Sequence, residues 1–261
     1  MAFHLSDYKR LIDKLATIPG RDWLTITGAT KSLQANDGLL CNANVMRHDV
    51  DRSPENALHM ARLEANNNIK ATYYFRCNKR GLFPERYVLA ISELNHEVGY
   101  HYECLSRSRG DRKAALESFA ENLERFRGIA PCQSVAMHGA PLSPYHNQDL
   151  LVGTNLRDYN LVSDAVLSFA KTELVYLTDT GGSWRAPEVL NLRDRVGVAT
   201  TKPETPETVS FGQWVAKNNQ LLIVSTHPER WAYNTPNFLI AEGRDRLTNA
   251  AKLIINRLRK A

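Results

Sequence analysis

Apolar and polar residues recur along the chain with two different periods, and these periods predict an alternating series of strands and helices. Short apolar runs rich in Val, Ile, Tyr and Phe are typical of buried strands. Between them, apolar residues three or four positions apart are typical of amphipathic helices. The predicted strands are 44–51, 69–75, 96–101, 134–138, 174–178 and 220–226. Strands that alternate with helices favour a mostly parallel sheet and the α/β fold class.

The ends of the chain are predicted to be helical. Residues 1–20 form an amphipathic N-terminal helix, and 242–261 form a C-terminal one. Between the strands, Asp111 is expected to cap a long helix, while 147–169 shows neither period clearly. The sequence contains no internal repeat and no low-complexity linker. We therefore predict one domain over residues 1–261.

Composition narrows the classes of function. Of the 261 residues, 43% are apolar and 23% are charged, the net charge is +5, and no lysine- or arginine-rich block occurs, so we expect no nucleic-acid partner. No apolar run reaches 18 residues, so no transmembrane segment is expected. The first residues lack the pattern of a secretory signal, and the four cysteines form no Cys-x-x-Cys pair. These features predict a cytoplasmic protein with reduced thiols.

Ionisable residues stand where the predicted strands end. In parallel α/β folds, ligands bind beyond the carboxyl ends of the strands, which meet at one edge of the sheet. We therefore expect these side chains to gather at one mouth. They are Asp49, Asp51, His101, His138, Asp179 and His227.

Asp49 and Asp51 are the first pair of interest. Residues i and i+2 of a strand point to the same side, and two such close carboxylates repel unless a cation lies between them. A divalent metal would resolve the repulsion, with one carboxylate as its ligand and the other free to act as a base. The alternative is a polar cluster at a helix entrance, because Asp51 precedes Ser53-Pro54.

The histidines complete the chemistry. A lone histidine is more often a structural group than a ligand, but His101, His138 and His227 each follow a predicted strand. Imidazole near neutral pH donates or accepts protons and binds borderline metals such as zinc. A bound metal that activates water, together with a base and an acid, suits hydrolysis of an amide or ester.

Three segments give the chain a family resemblance. His48-Asp49-Val50-Asp51, Glu97-Val98-Gly99-Tyr100-His101 and Ser225-Thr226-His227-Pro228 occur in this order at predicted strand ends. Together they resemble the motifs of NodB-type polysaccharide deacetylases (carbohydrate esterase family 4), in particular a divergent His-Asp-Val-Asp branch associated with O-antigen loci. The resemblance implies a distorted (β/α) barrel of about seven parallel strands.

The resemblance also implies roles for individual residues. Asp49 matches the base, Asp51 and His101 match metal ligands, and His227 matches the acid. The family's second motif has another histidine four residues after the first, where this chain has Leu105. We propose that His138 replaces it, with Glu103 and then Cys104 as the next candidates.

Further residues are expected to bind the substrate or support the site. Asp179 and Trp184 resemble the fourth motif of the family. Trp184, Trp231 and Tyr102 could offer flat apolar faces to a sugar ring, and Arg185 or Arg230 could meet a phosphate. The residues predicted to bind substrate or support the site are Asp179, Trp184, Arg185, Glu103 and His48.

The expected function is metal-dependent removal of an N-acyl group, such as acetyl, from an amino sugar or polysaccharide precursor, with zinc as the expected metal. The expected partner is a small or carrier-linked saccharide, and a role in O-antigen or surface polysaccharide biosynthesis follows from the resemblance. Two alternatives stay open. One is an amidase or deformylase acting on a nucleotide- or lipid-linked sugar, and the other is a carbohydrate-binding protein without catalysis.

Overall fold

The structure is a computed structural model that describes residues 3–185, 190, 193–199 and 203–260, and the side chains up to residue 254. Its strands in this part of the chain are β1 Phe3–His4, β2 Asp22–Leu24, β3 Ala43–Val50, β4 Ala71–Phe75, β5 Glu97–Tyr102, β6 Ser134–Met137, β7 Ser163–Asp164, β8 Glu173–Thr178, β9 Val198–Ala199, β10 Leu221–Thr226 and β11 Trp231–Ala232.

One sheet of nine strands organises the described residues. Its order is β7-β6-β5-β4-β3-β10-β8-β9, with β2 beside the start of β3, and each of these pairings is parallel. The sheet curls into a half-barrel. The predicted α/β class and the distorted parallel barrel are therefore confirmed, and every strand predicted from the sequence is present within two residues of its expected bounds. A separate pair joins β1 to β11.

Helices follow most strands, as a parallel sheet requires. They are α1 Leu5–Ala16, α2 Ile26–Ala35, α3 Pro54–Ala65, α4 Glu85–Glu93, α5 Cys104–Arg107, α6 Arg112–Arg127, α7 Phe211–Lys217 and α8 Thr235–Lys260. The Asp111 side chain caps α6 by accepting from the Ala114 backbone N–H at 3.1 Å. The segment 147–169, which the sequence left unassigned, forms short 3-10 turns and β7.

The C-terminal helix was predicted too short. It begins at Thr235 rather than at residue 242. The physical reason lies at its start, where the Asn234 side chain accepts from the backbone N–H of Asn237 at 2.9 Å. An asparagine cap followed by Pro236 in the first turn is a strong start signal for a helix. None of the helices in the described part of the chain is long and apolar enough to cross a membrane.

β3 lies at the centre of the sheet and holds the residues of interest. All eight of its residues are buried between β10 on one side and β4 on the other. Because successive side chains of a strand point to opposite faces, Arg47 and Asp49 share one face while His48 points to the other. This alternation decides which of the predicted residues reach the mouth of the barrel.

On the other face of β3, a buried polar cluster fixes the N-terminal helix. The Glu64 carboxylate of α3 is fully buried and accepts from Tyr73 Oη at 2.6 Å and from Tyr8 Oη of α1. His48 Nε2 lies 2.8 Å from the same carboxylate, and its Nδ1 lies 2.7 Å from Thr226 Oγ1 of β10. A buried charge is tolerated where it is paired and hydrogen-bonded in this way, so the cluster ties α1 and α3 to the sheet.

Candidate active site

A small cavity of about 100 Å³ opens at the carboxyl ends of the central strands. Predicted residues from four different strands meet there, as the parallel topology leads one to expect. Those that line the cavity are Asp49, Asp51, His101, His138 and His227. The structure thus brings the predicted base, metal ligands and acid to a single place.

Asp49 is held by its neighbour on the same strand. Arg47 Nε and one terminal guanidinium nitrogen donate to the two Asp49 carboxylate oxygens, at 2.9 and 2.7 Å. Both side chains are almost fully buried. A bidentate pair of this kind is strong and geometrically specific. It fixes the orientation of the Asp49 carboxylate and supplies the positive charge that a buried carboxylate needs.

Asp51 is the point on which the two histidines converge. Its Oδ1 lies 3.5 Å from His101 Nε2 and 3.5 Å from His138 Nε2. The guanidinium of Arg76 lies at the same distance from this oxygen. Although burial alone would raise the pKa of Asp51, the two histidines and Arg76 hold it well below its ordinary value. Asp51 therefore carries its charge at neutral pH.

The two histidines differ in charge, and only His101 stands in the neutral form that binds a metal. His101 Nδ1 lies 3.1 Å from the Ala136 carbonyl oxygen; donation of its proton there leaves a lone pair on Nε2, the atom that faces Asp51. Burial lowers the pKa of His101 to about 4, so its ring is neutral. His138 Nδ1 lies 3.0 Å from Glu103 Oε2, without the alignment of a full hydrogen bond. Burial would lower the pKa of His138, but Asp51 and Glu103 raise it to about 9.

These donors fit a zinc ion by type, and two of their separations fit its size. One carboxylate oxygen and two imidazole nitrogens form a common zinc ligand set. With bonds of about 2.0–2.2 Å, neighbouring ligands of a tetrahedral ion are about 3.3–3.6 Å apart, which matches both 3.5 Å separations at Asp51. As the side chains stand, no group of three His, Cys, Asp or Glu among the described residues is placed to hold a metal ion. The side chains of Asp51, His101 and His138 would have to move to form the site.

The contacts of Glu103 and Leu105 indicate what part each residue takes in the site. The Glu103 carboxylate is paired with Arg76 and Arg107. Burial alone would raise its pKa, but His138 and Arg76 lower it. It therefore stands behind His138 as a supporting group. Leu105 is buried in the hydrophobic core on α5, and it offers no donor to a metal.

His227 faces the cavity from the end of β10 and is oriented by Asp179. Its Nδ1 donates to Asp179 Oδ1 at 2.7 Å, and its backbone N–H donates to Oδ2 at 3.0 Å. The same carboxylate accepts from Arg230 at 3.2 Å and from Trp231 Nε1 at 2.9 Å. Burial and Arg230 would lower the pKa of His227, but Asp179 outweighs them and raises it to about 9. His227 is therefore protonated at neutral pH.

Several groups at the cavity were missed or left without a role. Glu229 lines the cavity. Burial together with Asp51 raises the pKa of Glu229 to about 7. Its Oε2 atom is buried and has no hydrogen-bond partner among the described residues. Asp194 and Lys252 also line the cavity. Glu229 follows His227-Pro228 directly, so its place next to the site could have been read from the motif. Asp194 and Lys252 follow no predicted strand, and no motif in the sequence points to them.

Three residues considered for substrate contact lie in the interior instead. His48 is fully buried on the opposite face of β3, so it supports the fold and cannot touch a substrate. Tyr102 and Trp231 are buried in the core, where they donate to Asp164 and Asp179, and neither offers a face to a sugar.

Two more predicted residues stand away from the mouth. Trp184 packs against the rings of Phe3 and Trp231, with centroids 6.0 Å from each. Arg185 is exposed and donates to Thr205 Oγ1. Neither lines the cavity, because the chain after β8 turns toward β1 and β11. Asp179, from the same predicted motif, lies beneath His227 instead of contacting a ligand.

The chain has low similarity to solved carbohydrate esterase structures. One is a mutant of BA3943, a CE4 family pseudoenzyme with restored enzymatic activity, at 15% identity and a TM-score of 0.41. A second mutant of the same pseudoenzyme gives 16% identity and a TM-score of 0.40. Each match covers 83% of this chain and 62% of the other, so the chain spans less than two thirds of those proteins. No protein-family model and no curated protein matches the sequence.

Proposed function

We propose that the protein is a metal-dependent deacylase that hydrolyses an N-acyl group on an amino sugar. The observation that carries the proposal is the convergence of two sets of side chains on one cavity. Asp51, His101 and His138 form a set of zinc-type donors, and Asp49 and His227 are ionisable groups held in place by Arg47 and Asp179. The motif resemblance supports the same assignment.

Asp51, His101 and His138 would hold the ion, which when bound lowers the pKa of water and polarises a carbonyl. Asp49, oriented by Arg47, would accept the proton of the attacking water. His227 is charged and carries a proton on Nε2, since its Nδ1 is bonded to Asp179. It would donate that proton to the nitrogen that leaves. A base and an acid that act at opposite ends of the reacting bond contribute about 10²–10⁴-fold each.

The size of the cavity indicates what part of a substrate it accepts. Binding sites for whole small molecules are usually about 300–1,000 Å³, and this cavity has about 100 Å³. One water needs about 10–15 Å³ of such a cavity, so the cavity has room for a small acyl group and a water. A formyl or acetyl group fits this description, and the sugar would remain outside. Whether the acyl group is acetyl or formyl then distinguishes a deacetylase from a deformylase.

The test is hydrolysis of a matched panel of N-acetylated and N-formylated amino sugars, free and linked to nucleotides, with zinc supplied. We expect acid release by the wild-type chain and a loss of at least about 10²-fold in Asp49→Asn. Asp13→Asn, an exposed carboxylate on α1, is the matched control and should retain full activity. Turnover by Asp49→Asn at the wild-type rate would refute the proposed mechanism.

A second candidate, a carbohydrate-binding protein without catalysis, is favoured by the surroundings of His138. Its ring lies between the Asp51 and Glu103 carboxylates, and this pairing keeps the ring charged, in a form that competes with a metal. Calorimetric titration with zinc at pH 7 and pH 8 separates the candidates. Tight binding that strengthens at higher pH supports the deacylase. Sugar binding without any zinc binding supports the second candidate.

The biological setting is part of the proposal. The substrate we propose is an amino sugar on a nucleotide or lipid carrier, met in the cytoplasm during O-antigen or surface polysaccharide synthesis. The family resemblance and the positive net charge of the chain both support this substrate. A carrier phosphate is anionic and is attracted by such a charge. Comparison of free and carrier-linked substrates in the same panel tests this point through KM.

A further inference from the structure

The C-terminal helix α8 has two faces, and one of them is fixed on the candidate site. Asp245 accepts from Arg230 Nε at 2.9 Å, Asn249 donates to the Gly181 carbonyl at 3.0 Å, and Lys252 donates to the Leu190 carbonyl at 2.8 Å. Lys252 also lines the catalytic cavity. Polar contacts therefore hold this face of α8 on the mouth of the half-barrel.

The opposite face of α8 is apolar and exposed to solvent. At 100° per residue, the exposed apolar residues lie on the side away from Asp245 and Lys252. We call this surface the outer stripe; it consists of Leu239, Ile240, Leu247, Leu253 and Ile254, which are 42–74% exposed. From its first to its last residue the stripe runs about 22 Å at 1.5 Å per residue. A row of large exposed aliphatic residues on one helix marks a surface that binds a partner.

The charge of α8 identifies the kind of partner. The sequence of Thr235–Lys260 contains six Lys or Arg and two Asp or Glu, a net charge of +4, and the chain as a whole carries +5. Arg246, beside the outer stripe, is 77% exposed. Two copies of such a helix placed face to face would repel each other, whereas a surface that is both apolar and negatively charged is complementary to it. Anionic lipid headgroups above acyl chains have this combination.

We propose that the outer stripe of α8 docks the protein on an anionic lipid bilayer. The helix lies in the plane of the interface, with the aliphatic side chains of the outer stripe among the acyl chains and Arg246 at the headgroups. The site-facing side of α8 stays on the barrel, so the candidate active site is held next to the membrane surface. Docking rests on the helix alone and does not depend on the reaction proposed above.

Vesicle co-sedimentation tests the proposal on the full chain. The probes are phosphatidylcholine vesicles with and without one quarter phosphatidylglycerol, at low salt and at about 0.5 M NaCl. We expect at least about tenfold stronger partitioning onto the anionic vesicles, and a large decrease at high salt because screening shortens electrostatic attraction. The double variant Leu247→Gln/Ile254→Gln should lower partitioning at least about tenfold. Leu39→Gln, an equally exposed leucine before β3 at the other end of the sheet, is the control and should bind as the wild type does.

Three outcomes would overturn the proposal. They are no partitioning onto either vesicle, equal partitioning onto neutral and anionic vesicles, and undiminished binding by the double variant with unchanged circular dichroism. Sedimentation equilibrium tests the alternative that a second copy of the chain covers the outer stripe. A dimer that the double variant abolishes, without vesicle binding, would show that a second copy covers α8. None of these readouts depends on enzymatic activity, so failure here leaves the proposed function to its own test.

Discussion

Replacement of Asp179 with Asn tests the pair of Asp179 and His227, in which His227 is the proposed acid. The Asp179 carboxylate accepts four hydrogen bonds, from His227 Nδ1, the His227 backbone, Arg230 and Trp231. An amide has one acceptor oxygen, and its NH₂ would face groups that are themselves donors. The substitution removes the charge and leaves at least one buried donor without a partner. We expect the orientation and the pKa of His227 both to change.

The magnitude follows from the pKa of His227. Asp179 raises it to about 9 from the ordinary 6.5, against burial and Arg230. Without the carboxylate, the pKa should fall to 6.5 or below, a change of about 3.4 kcal/mol at 1.36 kcal/mol per pKa unit. At pH 7 the protonated fraction of His227 would fall from about 99% to about one quarter or less. The alkaline limb of the rate profile should move to lower pH by the same amount.

Two measurements check this prediction. NMR titration of the His227 imidazole, assigned with His227→Gln, should give a pKa near 9 in the wild type and at or below 6.5 in Asp179→Asn. The difference in unfolding free energy between the two chains gives a second readout. A raised pKa in the folded state stabilises it fully below pH 6.5, and this contribution is lost as the pH rises through about 9. An imidazole that titrates alike in both chains would show that Asp179 does not keep His227 charged.

Other predictions concern stability and metal binding. Glu64→Gln should lower the unfolding free energy, measured in urea, by about 3–5 kcal/mol, because it breaks a fully buried charged cluster. The control Glu121→Gln, at an exposed position, should change the unfolding free energy by less than about 0.5 kcal/mol. Equal losses in the two variants would contradict the stabilising role of the Glu64 cluster. Gly99→Ala should cost at least about 1–3 kcal/mol, since a Cβ there would lie 2.5 Å from a backbone oxygen of β6; a fully stable variant would show that this contact is wrong. His138→Ala should weaken zinc binding by more than about a hundredfold in calorimetry, with His59→Ala as the unaffected control, and equal affinities would remove His138 from the site.

The strands and the position of the site could be predicted from the sequence because both rest on local patterns. Each buried strand is a short β-branched or aromatic run, and the polar residue that ends it must lie at the same edge of a parallel sheet. Asp49, His101 and His227 follow this rule, and the structure brings them together. The start of α8 was missed although the cap at Asn234, with Pro236 after it, is a local signal that was available.

Side-chain partners from distant segments could not be predicted. The separation of His48 from Asp49 follows from strand alternation, yet its link to Glu64 depends on how α3 packs. Lys252 and Asp194 reach the cavity from a helix and a loop whose places are set by tertiary packing alone. Trp184 was assigned by motif position and Arg185 by its charge, and the turn after β8 carries both away from the cavity.

Anomalous diffraction at the zinc edge, from crystals soaked in zinc, shows directly which residues bind the ion. We predict one strong peak at the carboxyl end of β3, bonded to Asp51, His101 and His138, with each histidine Nε2 about 2.0–2.1 Å from the ion. The peak should be absent in His138→Ala crystals. A cavity without zinc, or an ion held by other residues, would contradict the proposal that this chain is a metal-dependent deacylase.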